Sequence, residues 1–568
     1  MNNNFFISNE LYKLSQILEF KKDNKRLITD IKILAYTIQS LTFELTKLNF
    51  DRIEKYLVDR SEIKNILKEL VFDGKSEYIE ILSKDIPPLL LKLLKIPGIG
   101  MKTLYRLYKE FNIMDIYALK YAIKEKKLRL IETIGQKGEE LISKNINYYY
   151  KLQKEFSISY ADSIFNYIKN ILLDLNSRYV EKAGSVRRRK EVVSNLNIVC
   201  SHNDPQKLKD KLKDMQIITN FEERVDYINF KIDNSEIDIS ILICPEDYFY
   251  SALLYFTGPK NLNNYLYKKS EELRIKVLPT KYFKLNYNEK QIFNLFDLPY
   301  IPPEFREYWE KYINMDKNSL SYDIKGDLHI HTNYSDGISS IYEIARESKD
   351  IGYKYIGICD HAEDLKFAKG LTEKRIYKER LEIRKIEKLF NDLKIFFGIE
   401  ANIRNDGSID VNEYILKDLD FVVASVHNNF NEDMKSNMKR LINAIRNPYV
   451  TVIGHPSGRK ISERAEMKID WDIFFNEIKK SNTILEINSS PDRLDLYSSK
   501  IYENSKYDVL YSINSDSHFA PQLNFVNQYG VYIAKRALLE DKKIINTYEV
   551  NDLIKIINKK RVLKNINN

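Results

Sequence analysis

The stretch GDLHIHTNYSDG, residues 326–337, decides the fold of the second half of the chain. An apolar lead runs into His329 and His331, which are two apart, so on a strand they share a face and can grip one ion together. Outward from there, from about 322, short β-rich runs alternate with helical stretches of roughly 10–20 residues, which predicts a parallel α/β barrel or sheet. The runs end in the same chemistry. YIGICDH (355–361) gives His361, FFGIE (396–400) Glu400, FVVASVH (421–427) His427, TVIGHP (451–456) His455, and SINSDSH (512–518) Asp516 and His518, with Asp336 following His331. Six of the seven histidines lie between 329 and 518. In a parallel barrel the functional face is where the strands end. A single histidine is ordinarily a satisfied core or surface residue, but six at successive strand ends with acids interleaved are a ligand set. Imidazoles and carboxylates without thiolate suit borderline divalent ions such as Zn, Mn or Fe, in a number sufficient for two or three.

A chain of 568 residues is too long for one core, and 43% hydrophobic with 30% charged residues is the balance of a soluble globular protein. MNNNFFISNE lacks the basic start and apolar run of a signal peptide, and no uncharged apolar run of about 18 residues occurs, so neither secretion nor a membrane span is expected. Cys200, Cys244 and Cys359 lie far apart in apolar runs and read as reduced core residues of a cytoplasmic protein. The net charge of +9 suits a nucleic-acid partner. Abundant Lys, Asn, Ile and Tyr are equally what an AT-rich genome imposes, so the charge alone decides nothing.

Residues 1–80 carry helical periodicity, as in LYKLSQILEF (11–20) and SEIKNILKELVF (61–72). KIPGIGMKTLYRLY (95–108) reads as helix, tight turn, helix, echoed by IETIGQKGEELI (131–142). Such helix–hairpin–helix turns offer backbone N–H groups to phosphates without reading bases, which makes Gly98, Gly100, Lys102, Thr103 and Gly135 candidate DNA-backbone contacts. From about 157 to 315 strands and helices mix, closing at the proline-bearing LPYIPPEFRE (298–307). Within it AGSVRRRKEVVSNLNIVC (183–200) passes from a Gly-Ser turn and arginines into a strand on which Asn195 and Asn197 share a face.

The histidine motifs, in order and wording, resemble the PHP (polymerase and histidinol phosphatase) phosphoesterase domain over roughly 322–568. The resemblance implies a distorted (β/α)7 barrel hydrolysing phosphoesters at three divalent ions. Their ligands would be His329, His331, Asp336, His361, Glu400, His427, His455, Asp516 and His518, with Glu400 bridging two ions and Asp360, Glu486 and Arg459 in supporting places. Ahead of it, Gly184, Ser185 and Arg188 resemble the nucleotide-binding turn of family X DNA polymerases. Tyr255, Phe256 and Gly258 of YFTGPKNLN (255–263) resemble the turn beside the incoming nucleotide, and Asp238 falls at the third catalytic carboxylate. The whole chain thus resembles the bacterial family X DNA polymerases, implying a multidomain α and α/β protein. Its parts would be a lyase-like helical domain (1–80), helix–hairpin–helix fingers (81–155), a nucleotidyltransferase-like palm (156–250), a thumb (251–315) and the PHP domain (322–568). No lyase residue carries over.

The departures matter as much. Asn195 and Asn197 occupy the first two catalytic aspartate positions, and Arg189 and Ser194 stand where the family has glycine. Pro259 replaces a serine, and a cis Gly258–Pro259 bond is expected there because proline lowers the cis penalty. Two-metal transfer needs anionic oxygens; each lost charge contact at ~4 Å is worth roughly 4 kcal/mol at an effective dielectric near 20. Asp238 alone cannot hold two ions, so Mg or Mn would bind the palm weakly if at all and polymerisation would be weak or lost. The implied function is DNA repair of the base-excision kind by a cytoplasmic bacterial monomer. It would be a metal-dependent 3′–5′ exonuclease acting at 3′ ends of gapped or damaged duplex, with abasic-site cleavage as a further activity. A small-molecule phosphatase of the histidinol-phosphatase type and a DNA-binding scaffold are the alternatives.

Overall fold

The computed structural model describes residues 4–567 apart from 42–44, 46–49, 58–59, 88, 97, 133, 153, 226, 234, 274–286, 363–364 and 366–367, so Pro97 of the first hairpin lies outside the described residues. Two compact units emerge, Met1–Phe156 with Lys460–Ala465, and Ser157–Arg459 with Glu466–Asn568.

The first unit is helical. Helix Asn4–Lys21 buries Leu11, Leu14 and Leu18 along one stripe, and Asn24 starts the next helix, Lys25–Ser40, by accepting from the Arg26 and Leu27 N–H groups. Two hairpins follow. The 3-10 turn Leu90–Lys95 leads through Gly98 into helix Met101–Phe111, and the turn Leu128–Leu130 leads into helix Gly135–Leu152. Each is closed in the same way, Ile99 N–H to the Ile96 carbonyl (2.9 Å) and Ile134 N–H to the Ile131 carbonyl (2.8 Å). These isoleucines, except the half-buried Ile134, join Leu104, Leu107, Leu119, Leu128 and Ile142 in one shared core. The loop Lys460–Ala465, remote in sequence, belongs here: the Ser462 hydroxyl donates to the Glu155 carbonyl and Tyr12 reaches the Glu463 carboxylate at 3.5 Å.

The second unit holds two sheet systems. In the first, five strands lie in the order Val180–Ala183, Asn195–Ser201, Asp238–Cys244, Tyr227–Ile232, Ile218–Glu223. Asn195–Ser201 and Asp238–Cys244 run parallel, with Asn195 paired to Asp238. Leu196 and Ile198 point inward while Asn195 and Asn197 take the other face. The expected turn at 183–188 is a single helical turn, Gly184–Arg187, entered with φ +60° at Gly184.

In the second system every pairing is parallel and neighbours follow chain order. Gly326–Ile330, Tyr355–Ile358 and Lys394–Phe397 form one run, and Glu400–Asn402, Val423–Ser425, Val452–Ile453, Ile484–Asn488 and Tyr511–Asn514 the other. Single parallel bridges, His361 to Glu400 and Ile330 to Ser517, carry the pairing across both gaps. These strands are buried on both faces, which explains why they read as continuous apolar runs rather than alternating ones. Phe421 packs against Gly357 and Gly398, where a Cβ on Gly398 would meet its ring at 2.4 Å. Cys200, Cys244 and Cys359 are free and buried. No helix among the described residues is long and apolar enough to cross a membrane.

Candidate metal centre

The ends of the parallel strands bring all nine expected donors together. His331, Asp336, His361 and His518 form one group, His329, His331 and Asp516 a second, and His361, Glu400 and His427 a third, each with ligand atoms within 4.8 Å of one another. Glu400 lies at the middle. One oxygen is 2.8 Å from His361 Nδ1, 3.5 Å from His329 Nε2 and 3.7 Å from His331 Nε2. The other is 3.2 Å from His427 Nε2 and 3.1 Å from His455 Nε2. The two oxygens thus face two different sets of imidazoles.

Electrostatics sort the donors. Burial, then His518 and His361, push His331 down to about 4, and burial with Arg493 brings His455 to about 4, so both rings are neutral with lone pairs available. Burial opposes charge on Glu400, yet His427, His361 and His329 hold its carboxyl well below the usual range. Against burial, Glu486 and Glu400 raise His329, and Asp336 and Glu400 raise His361.

The donor set fits divalent ions. His329 Nε2, both nitrogens of His331 and His427, His361 Nδ1 and His455 Nδ1 are buried without a hydrogen bond; several lie beside carboxylate oxygens but without hydrogen-bond alignment. Left so, each buried polar atom costs about 1–3 kcal/mol. Nitrogens aimed at shared points rather than at partners are what coordination satisfies.

A supporting layer orients the donors. The Glu486 carboxylate is 2.7 Å from His329 Nδ1 and accepts the His455 N–H at 2.6 Å; Asn514 and Asn488 hold it at 2.9 and 3.1 Å. Asp360 accepts from the Thr332 N–H at 2.9 Å and from the Thr332 and Ser335 hydroxyls, fixing the loop that carries Asp336. Arg459 faces elsewhere, donating to the Arg493 and Leu494 carbonyls. The group sequence reasoning missed is Arg493. Its Nε is 3.3 Å from Asp516 and its buried Nη1 has no hydrogen bond. One arginine after SSPD in a chain with 90 Lys and Arg carries no spacing signal.

The other candidates fall at two further places. Asn195 Nδ2 donates to Asn197 Oδ1 at 2.9 Å, and Asp238, in register beside Asn195, is exposed and 3.4 Å from Lys231. Gly184 presses on Asn197, where a Cβ would meet Nδ2 at 2.8 Å; Ser185 follows in the same helical turn. Arg188 is held by Glu307 at 2.9 Å and by the Thr257 carbonyl. That bond ties its turn to the helix Phe249–Thr257, which carries Tyr255 and the partly exposed Phe256 and ends at Gly258, followed by a cis bond to Pro259. In the first unit Gly98 has φ +99° and Gly135 φ +60°. Gly100 precedes helix Met101–Phe111, whose first turn holds Lys102 and Thr103. A Cβ at Gly100 or Gly135 would meet nothing within 4 Å, so both turns are open to a close ligand.

Residues 327–490, within the parallel α/β system whose strands end in these buried histidines and carboxylates, match the PHP domain model. Similarity extends well beyond that domain. DNA polymerase/3′-5′ exonuclease PolX of Bacillus subtilis (strain 168) is 32% identical over 506 residues, covering 86% of this chain and 88% of the relative. The chain belongs to the bacterial family X DNA polymerases that carry a PHP domain. Partial matches include a probable phosphatase of Caldanaerobacter subterraneus subsp. tengcongensis, 38% identical over 29% of this chain and 62% of the relative. Another, of Thermoanaerobacter sp. (strain X514), is 31% identical over 39% of this chain and 89% of the relative.

Proposed function

We propose that this chain is a DNA-repair enzyme that hydrolyses phosphodiesters at the His/carboxylate centre, as a 3′–5′ exonuclease at 3′ ends of gapped or damaged duplex, and that its nucleotidyl-transfer site is silent. The observation that carries the reading is the convergence of five imidazoles on Glu400 within a chain related along most of its length to a polymerase/exonuclease. Bound divalent ions (three, of Mn, Zn or Fe) would make water nucleophilic near neutral pH and offset charge on phosphate oxygens. His329, His331, Asp336, His361, Glu400, His427, His455, Asp516 and His518 would hold them. Glu486 keeps His329 oriented, and Arg493 Nη1 offers a charged donor to a phosphate oxygen.

The chain-order parallel circuit supports a (β/α)7 barrel, because Lys394–Phe397 and Glu400–Asn402 are one strand interrupted at Gly398 and Ile399. The hairpins around Gly98 and Gly135 support a sequence-independent grip on DNA by residues 81–155. On this reading the five-stranded sheet and the segment after it correspond to palm (156–250) and thumb (251–315), following in sequence a helical domain at 1–80. In the palm two amides bonded to each other and one lysine-paired aspartate leave too little negative charge for two Mg or Mn ions. A cytoplasmic monomer acting on DNA completes the reading.

A 3′-end duplex labelled at its 5′ terminus, given Mn²⁺, tests the reading. A ladder shortening by single nucleotides is expected; an intact label with rapid release of phosphate from a small phosphomonoester would favour the phosphatase, whose relatives match 29% and 39% of this chain. Binding without either reaction would leave only a scaffold. DNA affinity should fall steeply with salt, as phosphate contacts require.

A further inference from the structure

Three successive arginines, Arg187, Arg188 and Arg189, lie at the end of the one-turn helix of the degenerate site, and each is engaged by another part of the chain. Arg187 is paired with Glu289 and Arg188 with Glu307. Arg189 stands at φ +59°, a conformation that costs a residue with a Cβ and favours glycine or asparagine. Something must hold it there. Its guanidinium is 2.6 Å from Asp162 of helix Ile158–Asp174 and stacks 4.5 Å from the ring of Tyr532, on helix Asn527–Arg536 of the phosphoesterase part. From that same helix Arg536, itself almost wholly buried, donates to the Arg188 carbonyl at 2.6 Å and to Ser498 at 3.3 Å, with Glu191 and Glu307 each at 3.8 Å. Glu191 in turn accepts the Ser498 N–H at 2.7 Å. Tyr308 stacks on Tyr502 at 3.5 Å, and Leu538 and Tyr502 pack with Leu254, Phe293 and Trp309 in one apolar cluster.

We propose that the degenerate nucleotide turn has become a lock that fastens the five-stranded sheet to the phosphoesterase, with Arg189 as the residue that closes it. A palm that has lost two of its three carboxylates is then kept for what it holds rather than for what it reacts.

The backbone conformation gives the test its sign. If Arg189 had no role, Arg189→Gly would relieve φ +59° and slow local opening; a lock opened by the same change gives the reverse. Hydrogen exchange of the full chain should be read on helix Asn527–Arg536, with strand Tyr355–Ile358 as internal reference. Arg189→Gly and Arg189→Asn, the latter also at ease at positive φ, should each speed exchange in that helix at least tenfold and leave the reference unchanged. Tyr532→Leu should do the same, and Arg189→Asn combined with Tyr532→Leu should go no further than either alone. Exchange that is unchanged or slower in Arg189→Gly, additive effects in the pair, or protection of 184–189 by a deoxynucleoside triphosphate with Mg²⁺ would overturn the lock. No readout depends on DNA cleavage, so failure of the nuclease reading leaves this result standing.

Discussion

His331 belongs to two of the three donor groups and has neither ring nitrogen hydrogen-bonded, so its loss should disturb more than one ion. His331→Ala is expected to lower hydrolysis at least about 100-fold and to reduce metal content by elemental analysis, with duplex affinity unchanged. Full activity at unchanged metal content would remove His331 from the centre. Glu486→Gln keeps the shape behind His329 but not the charge; metal affinity measured by chelator competition should drop about 10–100-fold, and an unchanged affinity would reduce Glu486 to packing. At the proposed palm, Asn195→Asp with Asn197→Asp in a His331→Ala background should restore nucleotide addition, while each single change should do little because one carboxylate leaves a dication pair undercharged. A reverted, folded site that adds nothing would place the decay beyond these two residues. The histidines were legible as a set because each ends an apolar run, with Asp336 marked by the loop after His331. Arg493 was not, since its value lies in an unpartnered nitrogen that only folding brings beside Asp516.

At the scale of elements, the duties proposed for the hairpins and for the lock are separate. Replacing Gly98 and Gly100 with valine should weaken duplex binding at least tenfold while hydrolysis of a small phosphodiester persists, because Gly98 needs φ +99° and Gly100 borders an open surface. Equal loss of both activities in a folded variant would contradict that division. The lock predicts a pH dependence. Burial works against the Glu191 carboxylate, but Arg536 and the Ser498 bonds hold its folded-state value below the ordinary one. The sign follows: its contribution is present above about pH 4.3 and is lost as pH falls through the lower folded value. Glu191→Gln should therefore flatten the acid limb of the thermal midpoint; an unaltered limb would assign acid unfolding to other carboxylates. Glycine marked the hairpins in sequence because a turn needs it locally. The loop Lys460–Ala465 meeting Glu155, and Arg189 meeting Tyr532, join residues about 300 positions apart, which no local pattern encodes.

For the whole molecule, family membership and the proposed mechanism diverge: the chain belongs with polymerases, yet in the proposed reading the nine-donor constellation is hydrolytic and Asn195 and Asn197 are two lost charges of a transfer site. The parallel repeat made the strand-and-helix alternation from 322 onward and the places of the histidines readable, whereas fastening the five-stranded sheet to it through side chains was invisible until the two were folded together. The most direct measurement gives the unaltered chain a labelled gapped duplex with Mn²⁺ and all four deoxynucleoside triphosphates, beside His331→Ala. Shortening by the unaltered chain, with neither shortening nor extension by His331→Ala, is the predicted result. Extension of the primer by either protein would contradict it, because a palm with Asn195 and Asn197 would then be transferring nucleotides.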